Sequence, residues 1–190
     1  MSEDLRALMR DVDFIFENTP VRVVADRDHP ELKLAGLKVG PFEEGKEYEV
    51  RLWIARELER AGIARIRKER LDTTTLYKVH WRERVQPVRQ LSSLPEDFYP
   101  KLRRYLSTLK EEATTSSEKM KEYERVVHLF HDIVNCRLRK IISLASVPAP
   151  SSQLLENLTR EERHLYDRLR EIISGWRSAI LGLGEGASQP

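Results

Sequence analysis

Residues 117–145, SEKMKEYERVVHLFHDIVNCRLRKIISLA, decide the architecture. Met120, Tyr123, Val127, Phe130, Val134, Leu138, Ile141 and Ala145 recur every three or four residues, the period of an amphipathic helix. At 1.5 Å per residue such a helix is about 43 Å long, enough to serve as the axis of a helical domain. Its stripe of Tyr123, Val127, Phe130, Val134, Leu138 and Ile141 is expected to face its own bundle, with Arg137 and Lys140 beside it. Arg137 has a planar, doubly donating guanidinium and is expected to cross to another helix, in the same bundle or in a neighbouring subunit.

Helical signals continue on both sides of this axis. Upstream, LDTTTLYKVHWRERV reads as a helix capped by Asp72 or Thr73 and ended by Pro87, which disfavours helical geometry in the residue before it. Leu94-Pro95 opens the next helix, running to about Glu112 with Phe98, Leu102, Tyr105, Leu106 and Leu109 inward. Downstream, VPAPSS breaks the long helix. Thr159 to Glu162 forms a capping-box sequence, and a last helix extends to about Leu181. GLGEGASQP reads as a frayed tail.

The pattern changes before residue 67. Residues 3–17 suit a short helix capped by Ser2. VRVVAD and LKLAGLKVG then alternate as two strands joined by the turn-rich residues 26–30. Gly40-Pro41 breaks the pattern, Tyr48 and Val50 suggest a short extended piece, and Leu52 to Ala61 reads as a helix stopping at Gly62. Ile63, Ala64 and Ile66 add another strand. The expected fold class is α+β: a small N-terminal β-containing domain over 1–66, a hinge at 67–73, an all-α helical bundle over 74–182 and a flexible tail at 183–190.

Of the 190 residues, 40% are hydrophobic and 34% charged, which allows a core and excludes wholesale disorder. No apolar run approaches the roughly 18 residues of a membrane span. The acids in MSEDLRALMRDVD do not suit a signal peptide, and the single Cys136 excludes an intrachain disulfide framework. The expected location is the cytoplasm. The net charge of +2 hides an asymmetry. Residues 1–62 hold 10 Lys/Arg against 14 Asp/Glu, residues 63–110 hold 12 against 5, and residues 111–190 hold 11 against 12. Arg65, Arg67, Lys68 and Arg70 in the basic middle are candidates for phosphate contact. Weak or indirect DNA contact is expected, since no helix offers a face of polar base readers.

Catalytic constellations are weak. His128, His131, Asp132 and Cys136 share one side of the long helix, and His131-Asp132 suggests a metal-dependent phosphohydrolase, but no partner motif supplies the further ligands. There is no GxSxG, and the GxGxG of Gly182, Gly184 and Gly186 lacks a preceding strand. Neither a catalytic site, a metal nor a cofactor is expected. Phe98, Tyr99, Tyr105, Tyr166 and Trp176 are many large apolar groups for so slim a bundle and, with Arg137, are candidates for a protein interface.

Gly40-Pro41-Phe42, Gly45, Tyr48 to Ala55 with Leu52-Trp53, Leu58, and Ile63 to Ile66 resemble the small B domain of GINS subunits. Leu94-Pro95, Phe98-Tyr99, Leu102 and Leu106 resemble the start of that family's helical A domain. Asp132, Arg137, Leu138, Lys140 and Ile141 resemble its long helix. The resemblance covers about residues 5–180. With the small domain first, it selects the archaeal twenty-three-type subunit, similar to eukaryotic Psf-two and Psf-three. It implies a non-enzymatic DNA replication factor that assembles with the other GINS class in a tetramer. Its implied partners are the MCM helicase and a Cdc45/RecJ-like protein, with primase or polymerase as further candidates. It also implies association with the nucleoid in an archaeon, or a nuclear location in a eukaryote. The alternatives are a stand-alone nucleic-acid-binding regulator and the phosphohydrolase.

Overall fold

The computed structural model describes residues 2–67 and 71–182, the side chain of Ser2 excepted. The chain divides into two compact units, Met1–Arg70 and Leu71–Pro190. Part of the expected hinge (68–70) and the expected tail (183–190) lie outside the described residues, as does the Ser2 cap.

The first unit begins with helix α1 (Ser2–Glu17) and strand β1 (Pro20–Ala25), followed by β2 (Leu32–Leu34), β3 (Leu37–Val39) and β4 (Glu47–Arg51). Helix α2 (Leu52–Arg60) and strand β5 (Ala64–Ile66) complete it. β1 is the centre of an antiparallel sheet of order β4-β1-β5, with Val23 opposite Tyr48 on one side and Ile66 on the other. The inward residues of β1, Val23 and Ala25, meet Ile54, Ala55 and Leu58 of α2, and Phe42, Ile63 and Ala64 close the core. Gly62, at φ +63°, takes the left-handed step that lets the chain leave α2 and enter β5.

One expectation is corrected here. LKLAGLKVG is not one strand but a hairpin, with Leu32 opposite Val39 and Leu34 opposite Leu37. Ala35 and Gly36 both have positive φ, as a two-residue turn compatible with strand twist requires. This hairpin forms its own two-stranded sheet and leaves β1 to pair with β4 and β5.

The second unit consists of α3 (Thr73–Val85), α4 (Phe98–Ala113), α5 (Ser117–Ala145), the short α6 (Ser152–Glu156) and α7 (Arg160–Ile180). Asp72 caps α3, its carboxylate accepting from the backbone N–H of Thr75 at 2.7 Å. Thr159 and Glu162 form the reciprocal capping box of α7. α4 starts at Phe98 rather than Leu94: Leu91, Ser92 and Leu94 are buried in the irregular segment that leads to it. α6 begins at the end of the VPAPSS break, in a stretch for which no helix was expected.

α5 is the axis, packed by α3, α4 and α7. Its buried side is rotated about one residue from the expected stripe. Val126, Leu129, Ile133, Arg137, Lys140, Ile141 and Leu144 face inward, while Leu138 is exposed. The rotation has a physical cause. Periodicity counts apolar groups, and here two cations occupy inward positions because carboxylates meet them. Leu76, Phe98, Leu102, Leu109, Val126, Leu129 and Ile133 pack as one apolar cluster; Leu91, Ile141, Leu144, Leu158 and Tyr166 pack as another. Arg137 and Lys140 stand on α5 between Ile133 of the first and Ile141 of the second.

Candidate functional site

Arg137 is fully buried. Its Nε and Nη2 donate to the two oxygens of Glu162, the latter at 2.6 Å, as a bidentate pair. Nη1 donates to Glu83 Oε1 at 2.8 Å and to the Ser92 carbonyl at 2.9 Å, and Nη2 also reaches the Asn157 carbonyl at 3.2 Å. A guanidinium has five N–H groups, and here each has an acceptor. Lys140 Nζ donates to Glu83 Oε2 at 2.7 Å, and the Ser92 hydroxyl donates to Glu83 Oε1. The Tyr99 hydroxyl donates to Glu162 Oε1 at 2.6 Å. Two cations and two carboxylates thus balance, and they join α3, α4, α5 and α7 at one point.

The electrostatics follow from this geometry. Burial opposes the charge on Glu83, but Lys140, Ser92 and Arg137 outweigh it and hold the carboxyl below its ordinary range. Burial opposes the charge on Arg137 too, and the Glu162 carboxylate overcomes it, so its pKa stands above that of a free guanidinium. Burial and the neighbouring Glu162 push the Tyr99 phenol well upward. With its donors saturated, Arg137 is a structural tie. Loss of a partner from such a cluster costs far more than the cluster contributes as a whole, because it leaves a charge stranded in the interior.

Three of the residues assigned to a protein interface are therefore corrected. Arg137, Phe98 and Tyr166 are buried inside their own unit. Tyr99 is held by Glu162, and half-buried Tyr105 lies 3.0 Å from the Thr73 hydroxyl and donates to Glu122 at 3.3 Å. Large aromatics in a slim bundle packed inward because α5 gives them three neighbouring helices to fill. Trp176 differs, with 64% of its surface exposed. Sequence reasoning missed Glu83 and Glu162 as partners of Arg137. The available signal was position: Glu83 falls seven residues after Leu76, on the same inward side of α3.

In the first unit, Gly40 has φ +100°, and a Cβ there would stand 3.1 Å from the Phe42 ring. Phe42 is buried edge-on to Tyr48, with ring centroids 5.0 Å apart. The Gly40-Pro41 bond is cis. Leu52 is buried, and Trp53 packs partly buried against the same core. Of the candidate phosphate contacts, Arg65 lies 3.3 Å from Asp26 and Arg67 pairs with Glu47. Lys68 and Arg70 lie outside the described residues. His131 and Asp132 are exposed, and Asp132 faces His80 at 3.3 Å. Among the described residues no group of three or more His, Cys, Asp or Glu side chains is placed to hold a metal ion, and no helix is long and apolar enough to cross a membrane.

Among the described residues, exposed apolar side chains occur on several helices, Phe14 and Ile15 of α1 and Met120 and Ile142 of α5 included; two runs of them lie on α7 and α3. On α7, Ile172, Trp176, Ile180 and the following Leu181 are exposed, and every residue from 174 to 182 is exposed. Arg170 and Arg177 hold this helix by donating to the carbonyls of Pro148 and Ser146 near the end of α5, both at 2.9 Å. On α3, Tyr77, Trp81 and Val85 are exposed, followed by Val88.

Comparison with known proteins gives two family matches. The GINS complex protein helical bundle domain matches residues 70–181, and the PSF2 N-terminal domain matches residues 8–67. No individually curated protein matches the chain. A small domain resembling that of PSF2, followed by the bundle characteristic of GINS complex proteins, makes the chain a member of the GINS family of DNA replication complex subunits.

Proposed function

We propose that this chain is a non-catalytic scaffold subunit that meets a GINS subunit of the other class through the C-terminal half of α7. The observation that carries the reading is the exposed run 174–182, with Ile172, Trp176, Ile180 and Leu181 uncovered. A helix end without buried side chains gains little from tertiary packing, and isolated short helices are marginal in water. Trp is also among the residue types that dominate interface energies. Assembled in a tetramer, the subunit would hold the MCM helicase and a Cdc45/RecJ-like protein in fixed geometry at the replication fork, with primase or polymerase as further clients. Its contribution would be effective concentration rather than chemistry. DNA contact would be weak or indirect, and the working location would be wherever the fork is: the nucleoid of an archaeon or the nucleus of a eukaryote.

The test is co-expression with an other-class GINS subunit, followed by light scattering. Wild type should give a stable hetero-oligomer, and Trp176→Asp with Ile180→Asp should leave a folded chain that no longer joins it. Unimpaired assembly of that variant would remove α7 from the interface.

A further inference from the structure

α3 carries a second uncovered face, and its charge differs from anything used so far. Tyr77, Trp81 and Val85 stand four residues apart with Trp81 67% exposed, and Val88 prolongs the line past the helix end. The three helical knobs span about 12 Å, or two turns. At about 100° per residue, Arg84 borders this apolar strip on one side and Lys78 and Arg82 border it on the other. All three are exposed, as is Arg89 beyond the helix. The only acid of α3, Glu83, points the other way and is consumed by Arg137 and Lys140. The outward face is therefore apolar along its middle with basic residues along both edges, and an exposed acid, Asp132 of α5, stands beyond the Arg84 edge against His80.

We infer that this face docks an acidic amphipathic helix, one whose apolar residues recur every three or four positions with carboxylates along both flanks. Charge complementarity sets the sign of the partner. The four-residue spacing sets its form, because such ridges pack against the ridges of another helix. Trp, Tyr and Arg are the anchors that interfaces favour. A single nucleic-acid strand fits less well: it takes planar groups on which bases stack, and Val85 and Val88 provide none. This inference is independent of the α7 assembly surface, which lies on another helix.

The experiment uses the full chain and a labelled synthetic helix of about 18 residues, with leucines at three- and four-residue spacing and glutamates on both flanks. A permuted peptide of the same composition without the period, and an oligo(dT) strand, complete the set. The periodic peptide should bind saturably and weaken with added salt. Trp81→Ala, or Arg82→Glu with Arg84→Glu, should weaken it about tenfold or more. Trp176→Ala should leave it unchanged, which separates this surface from the assembly surface. Circular dichroism checks that each variant stays folded. Equal binding of the permuted peptide, displacement of the peptide by oligo(dT), or undiminished binding by the Trp81→Ala chain would each overturn the assignment.

Discussion

Two arginines two positions apart on α5 have opposite roles. Arg137 is buried with its five donors engaged, whereas Arg139 is exposed and donates to its own helix at the Asn135 carbonyl. Arg137→Ala leaves Glu83 with Lys140 as its one cation and Glu162 without its own, so it should cost about 3–5 kcal/mol in denaturant unfolding. Arg139→Ala should stay within about 0.5 kcal/mol. Equal small losses would show that the cluster is not the tie between helices. Glu161 adds a pH-dependent counterpart. It is buried in the first turn of α7 with Arg103 3.8 Å from its Oε1, and burial, the largest influence, raises its carboxyl above the ordinary range. Its folded form therefore binds a proton at pH values where the unfolded chain has lost it, and the ionised group costs stability at neutral pH. Glu161→Gln should raise the melting temperature at pH 7. The gain should shrink as pH falls and vanish below the ordinary carboxylate range. Glu83, held low by Lys140, Ser92 and Arg137, works in the other sense: its contribution is present at neutral pH and is lost in acid as it protonates. At this scale the sequence was only partly legible. Arg137 could be picked out as a crossing residue from its chemistry, but its partners could not. Glu83 and Glu162 lie 54 and 25 residues away, and only the packed bundle brings them together.

Elements were more legible than contacts, for a reason visible in their ends. The starts of α3 and α7 are fixed by local groups, Asp72 on the Thr75 N–H and the Thr159–Glu162 box, and local groups are what a sequence displays. The hairpin of β2 and β3 was missed although the alternation changes phase at Ala35-Gly36, where Leu34 and Leu37 stand three residues apart. Only the positive φ of both turn residues reverses the chain. Gly40 is a position where backbone and packing demand coincide. Gly40→Ala forces a side chain into φ +100° and against Phe42, and should destabilise the first unit by about 1–3 kcal/mol. Gly45→Ala shares the positive φ (+77°) but meets nothing within 4 Å, so it should cost less. Paired thermal melts with a signal from the first unit decide this, and equal costs would mean that contact with Phe42 contributes nothing. On α7, the turns carrying Tyr166, Leu169 and Ile173 pack on the core, whereas residues 174–182 are all exposed. Amide exchange in the isolated chain should be slow over the first part and fast over the second. Uniform protection to the end of α7 would show that its last turns are stable without a partner.

Each unit of the molecule has its own apolar core, and the last helix of the second carries an uncovered apolar face. The succession of a sheet-containing part and a helical bundle could be read from the change of period along the sequence, because strands alternate and helices recur every three or four residues. The candidate interface was read less well. Aromatic count pointed to Phe98, Tyr99, Tyr105 and Tyr166, whereas uncovered surface is a property of the folded unit and leaves Trp176 as the retained residue. The thermodynamic consequence belongs to the whole assembly. A partner that binds only the folded chain stabilises it by mass action, by about 2.7 kcal/mol when present at a hundred times its dissociation constant. If the α7 face is the contact, an other-class GINS subunit should raise the unfolding midpoint of this chain in proportion to the logarithm of its concentration. Trp176→Asp with Ile180→Asp should abolish that dependence. Both positions are exposed in the free chain, so the variant's own midpoint without partner should stay within about 0.5 kcal/mol of wild type. Calorimetry of both chains over a range of partner concentrations measures the two quantities together. A midpoint that still climbs in the variant would place the contact elsewhere, and one that collapses without partner would mean that these residues support the fold rather than the assembly.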